Sequence, residues 1–159
     1  MSYILEHFTS ELSVFLLAMI PISELRGSIP LGISLGLPPI EVFIISVIGN
    51  ILPVPILLKV FKPIIRYIAR TRLFRRPAGY ILKKVDKGSE KVLKYELFGL
   101  FLLVAIPIPT TGVWTGCGVA SFLKLDYRKS LLAISLGVIT AGIIVMSLSL
   151  LGVAFVNMK

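Results

Sequence analysis

The stretch from Pro21 to Pro30 places two charged residues, Glu24 and Arg26, inside an otherwise strongly apolar part of the chain. A carboxylate and a guanidinium are costly in a helix that faces lipid, because the bilayer interior cannot solvate them. Non-helical backbone at membrane depth is also tolerated only where protein or a water-filled cavity surrounds it. The stretch therefore predicts a functional break that is folded against protein inside a membrane domain.

The composition favours an integral membrane protein. Of the 159 residues, 56% are hydrophobic and 16% are charged, whereas about a quarter of the residues of a soluble domain are charged. A chain of this length supplies only a few spanning segments. We expect residues 1–159 to form one membrane domain, in which close packing or a second copy in a homodimer completes a transport path.

The sequence does not favour an enzyme. It contains one cysteine and one histidine, and it shows no metal-ligand spacing and no catalytic constellation of His, Cys and Asp. We therefore expect no metal and no cofactor.

The positive charge is concentrated in one segment. Eleven of the 17 basic residues lie between residues 62 and 95, where the acidic residues are Asp86 and Glu90. Because both flanks are apolar enough to be membrane segments, contact with anionic lipid explains this charge better than nucleic-acid binding, which is not expected. Basic and apolar residues alternate there at helical spacing, which predicts basic amphipathic interfacial helices in a cytoplasmic linker at about 60–95.

Two parts of the chain are similar to each other. Residues 15–22 match residues 101–108 with six identities in eight. In both parts a Gly-x-x-x-Gly pair follows, at Gly32/Gly36 and at Gly112/Gly116, and then a turn and one long helix. This shared order predicts a duplication, with repeat 1 at about 11–59 and repeat 2 at about 96–159.

The distribution of charge predicts the orientation of the two repeats. The positive-inside rule places the linker and the basic cluster at 124–129 on the cytoplasmic side, so the segment 97–123 enters and leaves on one face. The flanks of residues 12–37 lack lysine and arginine, as expected for a hairpin that opens to the outside. Four plain spanning helices are the alternative, with the two basic clusters on opposite faces.

The predicted fold class is thus all-α integral membrane. It consists of an inverted repeat of a re-entrant helical hairpin plus one spanning helix, with the basic amphipathic interfacial helices between the halves. This plan is typical of secondary transporters, whose broken helices meet near the midplane of the bilayer.

Two hairpin tips near the midplane would form an anion site. The start of each return arm directs free N–H groups and the positive end of its dipole toward the tip. Arg26 and Gly27 precede the first predicted arm, and Thr110, Thr111 and Gly112 precede the second, where either threonine could cap the helix. With the buried amide of Asn50, such a site favours phosphate or carboxylate.

The predicted substrate-binding residues are Arg26, Gly27, Asn50, Thr110, Thr111, Gly112 and Trp114. Arg26 would bind the anion in bidentate fashion. Glu24 is the predicted proton-coupling residue, because burial favours the neutral form of a carboxyl group. Two other interpretations stay open: Glu24 and Arg26 form a structural ion pair, and Trp114 is a packing or anchor residue.

Two motifs resemble those of the putative small multidrug export protein family. They are Glu-Leu-Arg-Gly-Ser-Ile-Pro-Leu-Gly at 24–32 and Pro-Ile-Pro-Thr-Thr-Gly-Val-Trp-Thr-Gly at 107–116, in which Thr110 replaces a glycine of the family pattern. The family is similar to the DedA group, whose members share two facing re-entrant hairpins. The resemblance implies a multi-pass transporter of the prokaryotic cytoplasmic (inner) membrane. The DedA link implies lipid movement, including that of polyprenyl-phosphate carriers, with Glu24 and Arg26 as essential residues.

Three functions are therefore weighed. The first is transport or scrambling of an anionic amphiphile, above all a lipid phosphate such as polyprenyl phosphate, linked to protons and with membrane lipids as partners. The second is proton-coupled export of cationic drugs, which the positive charge of Arg26 beside Glu24 disfavours. The third is a non-transporting membrane scaffold whose basic linker binds anionic lipid.

Overall fold

A computed structural model describes residues 2–69, 90–108 and 111–157 of the chain, and every regular element in these ranges is an α-helix. The helices are α1 (Ser2–Met19), α2 (Glu24–Ser34), α3 (Pro39–Ile51), α4 (Val54–Ala69), α5 (Glu90–Ala105), α6 (Val113–Phe122) and α7 (Tyr127–Asn157). The prediction of an all-helical chain is confirmed.

Two stretches are long and apolar enough to cross a membrane, Pro39–Ile64 and Tyr127–Phe155. The first comprises α3 and most of α4, which join at a break at Leu52 and Pro53. Pro53 and Pro55 cause this break, because they have no N–H group to donate to the preceding turn. The second stretch belongs to α7 and is continuous.

The segments 12–37 and 97–123 each contain two helices joined by a tip. In the first, α1 packs on α2, and in the second, α5 packs on α6. The arms α2 and α6 have 11 and 10 residues. At about 1.5 Å per residue each is roughly half the length of a ~30 Å hydrocarbon core, so neither arm crosses it alone.

The two halves of the chain make matching backbone contacts. A Cβ atom added at Gly49 of α3 would lie 2.8 Å from the carbonyl oxygen of Phe15 in α1, and one added at Gly137 of α7 would lie 3.0 Å from that of Phe101 in α5. Glycine is thus needed at both crossings, because any side chain would separate the helices. Phe15 and Phe101 correspond in the match of residues 15–22 with residues 101–108, which has an offset of 86 residues, whereas Gly49 and Gly137 are 88 residues apart.

The arms α2 and α6 end with the same geometry. Gly36 and Lys124 both have positive φ, at 77° and 54°. The amides of Leu37 and Leu125 donate to the carbonyl oxygens five residues earlier, at 3.1 and 3.0 Å, as in a Schellman motif. This register pairs Gly36 with Lys124, so the predicted pairing of Gly36 with Gly116 is wrong. The error arose because Gly-x-x-x-Gly spacing is common and carries no register of its own.

The short arms lie at the centre of the domain. Ile29 of α2, Cys117 of α6, Val42 of α3 and Ile134 of α7 are all fully buried in one core. The outer faces of the two long stretches instead expose large apolar side chains, for example Ile44, Ile48, Leu132, Leu136 and Ile143. Contiguous apolar surface of this kind suits contact with lipid.

The predicted linker at 60–95 is described only at its ends, where α4 extends to Ala69 and α5 begins at Glu90. Its middle lies outside the described residues. The interfacial placement of these basic helices therefore stays a prediction.

Candidate functional site

The Glu24 carboxylate connects the first tip to the second arm. It accepts hydrogen bonds from the backbone amides of Val113 and Trp114, the first two residues of α6. Glu24 is 7% exposed, and its position compensates free N–H groups at the positive end of the helix dipole. A carboxylate of the same chain therefore lies at the helix start where the sequence predicts an external anion.

Gly112 makes this contact possible. Its φ is 150°, a conformation that residues with a side chain rarely adopt. A Cβ atom at this position would also lie only 2.6 Å from the Cδ atom of Glu24. Gly112 is the N-cap of α6 without a capping side chain, and the absence of a Cβ atom leaves room for the Glu24 carboxylate.

The Arg26 side chain also connects the two halves. Its guanidinium donates a hydrogen bond to the backbone carbonyl oxygen of Thr111, and its charge attracts the Glu24 carboxylate. Glu24 and Arg26 thus each bind the backbone of the second half. This arrangement differs from a simple ion pair within the first tip. A guanidinium has five N–H donors, so Arg26 retains donors for another partner.

The first return arm begins earlier than predicted. Helix α2 starts at Glu24, so Arg26 and Gly27 lie in its first turn rather than before it. The amides of Glu24 and Gly27 already donate to the carbonyl oxygens of Ile20 and Ser23, both at 3.0 Å. Because helical hydrogen bonds continue through the tip, this start is not an open anion site. The prediction of two open helix starts is therefore wrong for α2.

Glu24 itself has an unusual backbone. Its φ is 45°, in the left-handed region that a residue with a side chain occupies at a cost of about 1–3 kcal/mol. This angle turns the chain between the tip and α2 and directs the carboxylate across to α6. Such strain is typical of functional sites.

Thr111 does not cap α6, contrary to the prediction. Its hydroxyl donates to the carbonyl oxygens of Ile106 at 2.9 Å and Ile108 at 3.1 Å. These carbonyls follow the end of α5 and also accept the backbone amides of Ile108 and Thr111, at 2.8 and 3.1 Å. Thr111 therefore closes the second tip and presents its own carbonyl to Arg26. Thr110, the other predicted residue of this tip, lies outside the described residues.

Asn50 lies next to the two charged residues, as predicted. Its side chain is 1% exposed, and its Nδ2 atom has no hydrogen-bond partner in the described part of the chain. Asn50, Glu24, Arg26 and Gly112 line one small cavity, with room for about one water molecule. The structure thus brings four of the predicted site residues together around a polar centre.

A larger groove opens from Arg26 along α2 and the C-terminal half of α7. Its volume is about 610 Å³, and Arg26 is the charged residue among its described lining residues. Its walls are mainly apolar, with Pro30, Ile33, Val145 and Leu148 among them. We call this the Arg26 groove. It combines one cation at its inner end with an apolar wall.

Gly27 and Trp114 are not among the lining residues of the cavity or of the groove. A Cβ atom at Gly27 would lie 2.9 Å from the Cβ atom of Ser23, so this glycine serves close packing. The Trp114 ring packs edge-to-face on Phe61 of α4, with centroids 6.4 Å apart. The packing interpretation of Trp114 is the one that this geometry favours.

Sequence reasoning missed one cluster of ionisable groups. His7 Nδ1 lies 3.2 Å from Glu11 Oε1 on α1, and the carboxyl group of Glu41 of α3 lies beside that of Glu11. Their possible ligand atoms lie within 4.8 Å of one another. The spacing of His7 and Glu11 is visible in the sequence, but the approach of Glu41 depends on how α1 packs on α3. Acidic clusters near a protein surface are common without a bound metal, so this cluster alone does not identify a metal site.

Comparison with known proteins supports a membrane transport family. Searches against curated proteins and solved structures gave no significant match. A family model described as "Putative small multi-drug export protein" matches residues 24–144. This range is well over half of the chain and includes α2, the broken span formed by α3 and α4, the second tip and the first half of α7. With two helical stretches that are able to cross a membrane, the chain belongs to the putative small multi-drug export protein family.

Proposed function

We propose that the protein transports or scrambles an anionic amphiphile, above all a lipid phosphate such as polyprenyl phosphate, in a proton-linked manner. The family description names export, which agrees with transport as the general activity. The observation that carries the choice of substrate is the Arg26 groove, where a guanidinium lies at the inner end of an apolar wall.

The dimensions of the groove suit an amphiphile. Arg26 and Ser34 are eight residues apart on α2, which corresponds to about 12 Å of helix. The hydroxyl of Ser34 is already bonded to the carbonyl oxygen of Pro30 at 2.8 Å, so it does not need a ligand. Polar recognition therefore falls to Arg26 and to the Ser149 hydroxyl, which also lines the groove. Arg26 would bind the headgroup while the apolar wall holds the beginning of the chain.

Glu24 supplies a mechanism for coupling to protons. A phosphate and the Glu24 carboxylate are both anions that the amides of Val113 and Trp114 can bind. When Glu24 takes up a proton, its carboxyl group becomes a weaker acceptor and the helix start becomes available to the phosphate beside Arg26. Loss of the proton restores the internal contact and expels the phosphate. One proton is thus bound for each substrate anion that occupies the site.

We also propose the inverted repeat of two re-entrant hairpins, each followed by one spanning helix. The matching contacts of Gly49 and Gly137 and the matching ends of α2 and α6 support two equivalent halves. The basic clusters that flank the second hairpin support its opening to the cytoplasm. On this plan the protein is a multi-pass, DedA-like protein of the prokaryotic cytoplasmic membrane. The exposed apolar tip residues, such as Ile22, contact lipid or a second copy in a homodimer.

Export of cationic drugs is the second candidate, and the family description favours it. Its cation site would be Glu24, the acidic residue of the cavity. This carboxylate already accepts two amide hydrogen bonds and lies near Arg26, and both features oppose the binding of a cation. The third candidate, a membrane scaffold, would depend on the basic linker and not on Glu24 or Arg26.

Proteoliposomes that contain labelled polyprenyl phosphate, neutral polyprenol or a cationic dye test these candidates. We expect the wild-type protein to move the phosphate far faster than the other two. Arg26→Gln should abolish this movement, and Glu24→Gln should remove its response to a pH gradient. Arg128→Gln is the matched control, because Arg128 is exposed and lies away from the groove. Dye transport in the wild type, or phosphate transport that survives Arg26→Gln, would contradict the proposal.

A further inference from the structure

A further pocket, in addition to the small cavity and the Arg26 groove, lies between α4, the end of α6 and the start of α7. Its volume is about 260 Å³, and its polar lining residues are Lys59 and Lys62 of α4, Ser121 of α6, and Tyr127 and Ser130 of α7. We call it the lysine–serine pocket. It is separate from the Arg26 groove, whose nearest residue on α7 is 15 positions further along, or about 22 Å of helix.

The two serines are the first sign of a ligand site. Ser130 is 1% exposed and Ser121 is 8% exposed, and neither Oγ atom has a hydrogen-bond partner in the described part of the chain. Buried hydroxyls are nearly always hydrogen-bonded in proteins. Two unpartnered hydroxyls that line one pocket therefore point to a ligand that accepts hydrogen bonds.

The two lysines supply the charge. Lys59 and Lys62 are three residues apart, so they lie on the same side of α4, and both are exposed. The Nζ atom of Lys59 lies 5.9 Å from the centre of the Tyr127 ring, a cation–π contact that holds this ammonium group at the pocket. An ammonium group is a compact charge that binds phosphate well.

The start of α7 contributes side chains to the site, but its N-terminus is already capped. Asp126 caps it, because its Oδ1 atom accepts a hydrogen bond from the Lys129 amide at 3.1 Å. The anion donors of the pocket are therefore side chains: two ammonium groups and two hydroxyls on three different helices.

We propose that the lysine–serine pocket binds a phosphate group, either that of an anionic lipid headgroup or free phosphate. The tetrahedral anion offers enough acceptors for both hydroxyls and both ammonium groups, and it compensates the charge of the two lysines. Lys59 and Lys62 begin the basic segment of the chain, whose summed charge raises the local concentration of anions. This site does not depend on the transport function proposed above.

Calorimetric titration of the full chain in neutral detergent tests the proposal. The probes are dioctanoyl phosphatidic acid, inorganic phosphate and dioctanoyl phosphatidylcholine. We expect phosphatidic acid to bind and phosphatidylcholine, whose headgroup has no net charge, to bind far more weakly. Tight binding of phosphatidic acid alone identifies a lipid headgroup as the ligand. Equal affinity for inorganic phosphate identifies free phosphate.

Paired variants separate this pocket from general charge effects. Lys59→Gln with Lys62→Gln, and Ser121→Ala with Ser130→Ala, should each weaken binding at least about tenfold, because each pair removes hydrogen bonds to a charged group. Arg128→Gln removes an exposed charge beside the pocket and should leave the affinity unchanged.

The serine pair has a second readout. Because their hydroxyls have no partner in the described part of the chain, their removal should not lower the melting temperature without ligand, yet it should abolish the stabilisation that phosphatidic acid or phosphate produces. The proposal is overturned if no phosphate probe binds, if Arg128→Gln weakens binding as much as the lysine pair, or if the serine pair binds as the wild type does.

Discussion

Replacement of Gly112 by alanine tests whether the contact between the two halves holds the domain together. The new Cβ atom would lie 2.6 Å from both the Cδ and the Oε1 atoms of Glu24. Real Cβ atoms do not approach other atoms so closely, so the carboxylate must move away from the amides of Val113 and Trp114. The φ of 150° at Gly112 adds strain for any residue with a side chain.

Two terms set the size of the effect. An unfavourable backbone angle costs about 1–3 kcal/mol, and an overpacked buried site costs about another 1–3 kcal/mol. The expected loss of unfolding free energy is therefore about 2–6 kcal/mol. Since native domains are stable by only about 5–15 kcal/mol, Gly112→Ala should destabilise the protein severely.

The single cysteine offers an assay in the membrane. Cys117 is fully buried in α6, so a maleimide can label it only when this arm opens. We expect Gly112→Ala to increase the labelling rate and to lower the melting temperature in detergent. Gly118→Ala is the control in the same helix, because an added Cβ atom there meets no atom within 4 Å. It should be neutral or slightly stabilising, since alanine favours helix over glycine by about 1 kcal/mol.

A double variant isolates the contact with Glu24. In the Glu24→Ala background the carboxylate is absent, so Gly112→Ala should retain its backbone strain and lose its steric cost. The two substitutions together should then destabilise by less than the sum of their single effects, by about 1–3 kcal/mol. Additive effects, or a Gly112→Ala variant as stable as Gly118→Ala, would show that Glu24 does not lie against this glycine.

Three further predictions use the same stability and transport assays. Gly49→Ala and Gly137→Ala should each lower the unfolding free energy by about 1–3 kcal/mol, because both Cβ atoms would meet a backbone carbonyl. The control Gly99→Ala should leave it unchanged, because the space around Gly99 is open. Unequal costs at Gly49 and Gly137 would argue against equivalent halves. Asn50→Leu should not destabilise the protein, because it removes a buried amide whose Nδ2 atom has no partner among the described residues, but it should reduce phosphate-lipid transport; unchanged transport would remove Asn50 from the site. Lys124→Gly should stabilise by about 1 kcal/mol, since the φ of 54° suits glycine, and a fall in melting temperature would contradict that backbone geometry.

Sequence reasoning succeeded where a short stretch decides its own structure. The long uncharged segments had to become apolar helices, and Pro53 had to interrupt the first of them, because a missing N–H group acts within one turn. The placement of Glu24 and Arg26 at a break was predictable for the same reason, since charges are excluded from a lipid-facing helix. The predicted start of α2 was too late in the chain, because hydrogen bonds between neighbouring residues continue the helix through the tip. Composition does not reveal these hydrogen bonds.

The partners of these residues depended on the tertiary structure. The sequence by itself determined a membrane chain with a buried acid and a buried base at its first tip. Only the packing of the two halves decided that Glu24 binds the start of α6, that Arg26 binds the Thr111 carbonyl, and that two lysines of α4 face serines of α6 and α7. These contacts join residues far apart in the chain, and their geometry depends on the distance between the packed helices of the two halves. No local pattern encodes that distance, because it results from the summed packing of the whole domain.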